Sequence, residues 1–170
     1  MTGPILFRGT IAAALLLAPS ILLASPKSAG ANGSATVLHP ITLVKNQDMD
    51  FGILAAPAGG TAVLDPASST VSTTGGVLAL GGTPAAALFT GAASGGSVVN
   101  IKLPNQSVNL TRVGGTETIA LSNFTLDGPS KRTMAKASSF QFHVGGTLTV
   151  AAGQVEGSYV GTFSVTAQYQ

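Results

Sequence analysis

From residue 157 to residue 170 the chain alternates. Tyr159, Gly161, Phe163, Val165, Ala167 and Tyr169 hold the odd positions, and Ser158, Val160, Thr162, Ser164, Thr166 and Gln168 the even ones. That period of two, broken only by Val160, belongs to a strand with one face on a core and the other in water. No stretch after Leu23 repeats apolar residues at i, i+3, i+4 for three helical turns. With 22 glycines among 170 residues, the chain is expected to build from short strands and tight turns.

Read in order, residues 35–44 form a first strand with Val37, His39, Ile41 and Leu43 on one face, and Pro40 marks it as an edge or a bulge. Residues 48–54 make a short strand entered by a polar turn. Residues 61–65 and 69–73 pair around the Asp65-Pro66 turn, and Gly75-Gly76 and Gly81-Gly82 bracket residues 77–80. Further strands fall at 86–92, at 97–103 with Val99, Ile101 and Leu103 on one face, and at 107–113 with Val108 and Leu110 inward. Over residues 116–126 the apolar phase moves from Ile119 and Leu121 to Phe124 and Leu126, as a β-bulge near Ser122 and Asn123 would produce. Residues 127–137 read as a charged surface loop. Phe140, Phe142 and Val144 then alternate with Ser139, Gln141 and His143, which puts His143 in solvent. Gly145-Gly146 interrupts, and Leu148 and Val150 keep the parity. Nine or ten such strands indicate an all-β, antiparallel sandwich.

The N-terminal residues 1–31 have the layout of a secretory signal: Arg8, then an apolar run over 11–23 too short and broken to span a bilayer, then small residues ending at Ala29-Gly30-Ala31. One domain then occupies residues 32–170, exported and without stable membrane insertion once the signal is removed. Loss of Arg8 and Lys27 leaves six basic against six acidic residues, so the basic balance of the full chain says nothing about partners. The longest basic run outside the signal is Lys131-Arg132, which gives nucleic acid little to bind. In an exported chain disulfides are permitted, yet there is no cysteine. The fold must be held by its core.

Residues that carry chemistry are sparse. His39 and His143 are the two histidines, and without cysteine they form no zinc-type set. Asp48 and Asp50 share a strand face and could suit a hard cation, but no third oxygen ligand stands near; turn capping is the plainer role, as it is for Asp65 before Pro66. There is no Gly-x-Ser-x-Gly elbow, and residues 91–96 lack the lysine and helix of a phosphate loop. No catalytic, cofactor or metal site is expected, and an enzyme is not.

Gly157, fourteen residues from the carboxyl end counting Gln170 as one, and Tyr169, next to last, give the final strand a resemblance to that of bacterial chaperone–usher pilus subunits. The resemblance implies an immunoglobulin-like sandwich that lacks one strand and is open along a groove. Gly157, Tyr159, Gly161, Phe163, Val165, Ala167 and Tyr169 would then face a guest strand, supplied by a periplasmic chaperone and afterwards by an identical or related subunit at an outer-membrane usher. Strand addition works by satisfying an open backbone edge and filling pockets with alternate side chains. Asp50-Phe51-Gly52, residues 145–150, Ala152-Gly153-Gln154 and the last strand together look like a family of exported bacterial β domains described only as being of unknown function. More distantly the chain resembles the spore-coat-U-like subunits of archaic pili, although it lacks their cysteines. Residues 35–44, with Val37, Ile41 and Leu43, are a candidate donor strand; otherwise the domain has no donor, or completes its own sandwich with that strand. The functions that follow are a structural subunit of a surface fibre, or a self-complete exported module binding glycans or surfaces, for which the absence of Trp and only two Tyr leave few aromatic anchors. A small outer-membrane barrel ranks last, because it would carry aromatic girdles.

Overall fold

The parity of the sequence becomes layers in three dimensions. A computed structural model describes residues 27–135 and 139–170, and the leader expected over residues 1–31 falls, up to residue 26, outside them. Met1–Ala35 and Thr36–Gln170 are separate compact units; of the first, residues 27–35 are described, exposed and without regular structure. The second is all β. Its strands are β1 (Thr42–Gln47), β2 (Ile53–Ala55), β3 (Gly60–Leu64), β4 (Val71–Gly75), β5 (Leu78–Gly81), β6 (Ala87–Ala92) and β7 (Val98–Lys102). There follow β8 (Val108–Arg112), β9 (Thr118–Leu126), β10 (Lys131–Thr133), β11 (Ser139–Val150), β12 (Tyr159–Val160) and β13 (Thr166–Tyr169). Every pairing is antiparallel, in a sandwich-like arrangement.

The main sheet runs β1-β6-β11-β9-β8-β12. β11 is its axis: β9 lies along one side, while β6 and then β3 share the other, with β4 beyond β3. The handover from β6 to β3 falls at Gly145, where a Cβ would run into the Leu64 carbonyl oxygen and the Pro66 ring. Glycine therefore continues this strand instead of interrupting it, because backbone passes where a side chain would stand. The expected bulge is present: Gly145 faces Thr125 and Thr147 faces Ser122, so Asn123 and Phe124 oppose Gly146 alone, and Asn123 has φ 48°.

A second sheet, β10-β7-β13, and a ribbon, β2-β5, supply the other layer. The core is correspondingly in two parts. Phe89, Phe140, Phe142, Val144, Val99, Ile101 and Met134 lie where the three-stranded sheet faces β6 and β11. Phe51, Ala62, Leu64, Val77, Ile119, Leu121, Leu148 and Val150 lie beside the ribbon. Phe163 touches both parts and packs its ring on Phe124 and Phe89, with centroids 5.0 and 6.4 Å away.

Three expectations are corrected. The first strand begins at Thr42 rather than residue 35, since Pro40 has no N–H for a ladder and restrains His39 before it. The charged loop contains β10, whose pairing with β7 overrides its weak local pattern. The last strand is two strands: β12 pairs with β8 in the main sheet and β13 with β7 in the other, and residues 161–165 cross between them.

Candidate functional site

The crossing leaves backbone without partners. On β13 the Gln170 N–H donates to the Val98 carbonyl at 3.0 Å, and the Thr166–Lys102 and Gln168–Asn100 pairs continue that series. Antiparallel strands turn alternate residues toward each neighbour. The even-numbered residues of β13 therefore address β7, and the backbone of Ala167 and Tyr169 points to the opposite, free side. Among the described residues no backbone hydrogen bond reaches residues 161–165, nor the free side at Ala167 and Tyr169. Unpaired backbone at a sheet edge is a template for another strand.

The same residues carry half-buried side chains. Phe163, Val165, Ala167 and Tyr169 pack against the first core part without being sealed by it, and so do Ile41, Leu43 and Met49 in and beside β1. Tyr169 links β13 to the lead-in of β1: its hydroxyl donates to the His39 carbonyl oxygen at 2.6 Å and accepts from the Ser94 N–H at 2.8 Å. The His39 N–H in turn donates to Ser94 Oγ at 2.7 Å. We call the half-buried apolar groups of β1 and of residues 163–169, joined through Tyr169 and His39, the seam.

The sequence-derived residues divide across this geometry. Phe163, Val165, Ala167 and Tyr169 line the seam together. Tyr159 instead borders the second core part, with its hydroxyl donating to the Val155 carbonyl and accepting from Gln154 Nε2. Gly161 lies over β8, where a Cβ would come within 2.9 Å of the Asn109 carbonyl oxygen, and Gly157, at φ 145°, lies against Arg112. Of the candidate donor residues, Leu43 lies within β1, which pairs with β6 of its own chain, Ile41 immediately precedes it, and Val37 is 93% exposed. The Tyr169 clasp was not foreseeable: the position was notable, but the partners lie 75 and 130 residues away in sequence. Asp50 caps its turn by accepting from the Gly52 N–H, Asp48 pairs with Lys45, and Asp65 accepts from the Ala67 and Ser68 N–H groups.

His143 lies on the outer face of β11 as expected, its side chain 40% exposed, but it has a partner there. Its Nδ1 lies 2.9 Å from Asp127 Oδ2, while Arg132 donates to Oδ1 of the same carboxylate at 2.9 Å. The cause is that the β9–β11 pairing runs on past Leu126: the Asp127 N–H donates to the His143 carbonyl at 3.2 Å, which sets the two side chains beside each other. Burial raises the Asp127 pKa, but bonds from His143 and Arg132 outweigh it and the net displacement is downward. Glu117, held by the Arg112 guanidinium, lies near 2. Both carboxyls are depressed in the folded state, so their stabilisation is complete above the unfolded values of about 4 and is lost as pH falls through the folded ones. Urea midpoints should therefore fall between about pH 5 and pH 2, and Asp127→Asn should flatten that slope while lowering the neutral-pH midpoint. A slope unchanged in Asp127→Asn would show that the Asp127 carboxylate does not contribute to the acid lability.

A family model described as "Domain of unknown function (DUF4402)" matches residues 41–169. No curated protein and no solved structure matches the chain.

Proposed function

The chain belongs to the DUF4402 family of domains of unknown function, and on that premise we propose that it is an exported structural subunit of a bacterial surface fibre or pilus-like assembly, joined by strand complementation at the seam. One observation carries this reading: residues 161–165 and the free side of β13 combine unpaired backbone with half-buried apolar side chains. A guest strand would satisfy both at once. The occupant is an extended segment of a second copy. Residues 36–38 are exposed, lie outside any sheet and precede the tied His39, which suits them to reach a neighbour. A periplasmic chaperone would hold the same edge in transit. Ile53, Leu78 and Leu80, more than half exposed on the ribbon, add apolar surface that neighbours in an assembly could cover.

The alternative is a self-complete exported module that binds glycans or surfaces. Its support is that β1 already pairs with β6 of its own chain. One experiment separates the two. Residues 32–170, purified, should form concentration-dependent oligomers, and an excess of a synthetic peptide of residues 35–44 should dissociate them. At about 100 times its Kd the peptide should stabilise by about 2.7 kcal/mol, a rise of about 5–10 °C in Tm for a domain of this size. Amide exchange at Val165, Ala167 and Tyr169 should slow in step. A stable monomer whose amides at those three residues are already protected, and which ignores the peptide, belongs to the alternative.

A further inference from the structure

We propose that the Tyr169 hydroxyl is the end-stop of the seam, a positioning group that closes it at the His39 end and fixes the register of the incoming strand. This inference rests on the strand-complementation reading and deepens it.

A strand laid on an edge can slide, and only the burial of one face and the blocking of an end prevent it. Along most of the seam the half-buried groups are Phe163, Val165, Ala167, Ile41 and Leu43, all apolar and able to accept a strand in more than one position. At the His39 end the character changes. One phenolic oxygen donates to the lead-in of β1 and accepts from the loop after β6, while Ser94 Oγ ties His39 a second time. Three segments distant in sequence are drawn together at the point a sliding strand would have to pass. Removal of the hydroxyl keeps the ring in place but frees the His39 carbonyl and the Ser94 N–H. The end then opens, and a guest strand can move further toward it.

A slip of one residue would turn every guest side chain to the wrong face, so the smallest tolerable slip is two. The chain has no cysteine, which makes that slip readable by disulfide trapping. The chain carrying Val165→Cys is mixed in a glutathione buffer with synthetic peptides of residues 35–44 bearing one cysteine at position 37, 39, 41 or 43, and cross-links are identified by mass. One peptide position should dominate. With Tyr169→Phe added, the dominant position should move by two residues, with far-UV circular dichroism unchanged. The same dominant position with and without the hydroxyl overturns the end-stop while leaving the seam as a strand site. Absence of any cross-link above that of an exposed Val63→Cys control sinks the strand-complementation reading itself. Ser94→Ala, which removes the tie from Oγ to His39 but leaves both bonds of the Tyr169 hydroxyl, should keep the dominant position; a two-residue move in that variant would assign the stop to Ser94 and overturn the Tyr169 end-stop.

Discussion

Phe142→Ala is expected to cost about 3–5 kcal/mol, at the upper end of that range for a large side chain removed from a packed core. Phe142 is fully enclosed on the central strand of the main sheet, with its ring nearly parallel to those of Phe89 and Phe140 at centroid distances of 5.4 and 6.1 Å. Two aromatic contacts worth about 0.5–1.5 kcal/mol each beyond area are lost with it. Relaxation into the cavity is restricted, because the neighbouring strands β6 and β9 are fixed by ladders on both sides of β11. Gly91, opposite Phe140, is already overlaid by that ring. Against a total stability of about 5–15 kcal/mol, the variant should sit close to its unfolding transition at 37 °C. In urea its midpoint should fall sharply with the m-value unchanged. Phe163→Ala is the internal control: that ring is only half-buried, so its loss should cost clearly less. Equal costs would mean that the seam is sealed in the free domain.

That contrast also marks what the sequence could and could not disclose. Parity was legible wherever one face is buried, as in β11, where Phe140, Phe142, Val144, Leu148 and Val150 keep one phase across two glycines. The bulge at Asn123 was legible for the same reason, since a phase change within one strand has few other causes. Parity does not say which sheet a strand joins. Residues 157–170 alternate almost without fault, yet β12 and β13 lie in different sheets, and the break at residues 161–165 leaves no mark on the pattern because Phe163 is needed in the interior on both sides of it. β10 was hidden by its charges, because its place comes from pairing with β7 and not from an apolar face of its own. The face of His143 was legible but its partner was not, because Asp127 was assigned to a loop. At the seam, Phe163, Val165, Ala167 and Tyr169 could be named from alternation alone, whereas the bonds of the Tyr169 hydroxyl, made to backbone, have no signature in side-chain identities.

The free edge makes the most selective prediction. Ala167→Pro should leave the domain folded and abolish its self-association, while Gln168→Pro should unfold the end of β13. Proline removes an N–H and fixes φ, and sheets tolerate it only where that N–H is not in the ladder. On β13 the bond from Gln170 to Val98 sets the alternation, so the Ala167 N–H faces away from β7 and its loss costs the free domain nothing in pairing. Thr166, next before it, is already in the extended region that a following proline favours. A guest strand, in contrast, would meet a missing donor and a ring in the plane of its hydrogen bonds. An acceptor left unpaired in such an interface costs about 1–3 kcal/mol, which is about 5- to 150-fold in affinity, before any clash is counted. Gln168 is the mirror case, since its backbone faces Asn100. Light scattering after size exclusion and a thermal melt read both effects in one pair of proteins. If Ala167→Pro associates as the parent does, the guest does not bind along this edge, and the unpaired backbone of residues 161–165 must be met by something other than a strand.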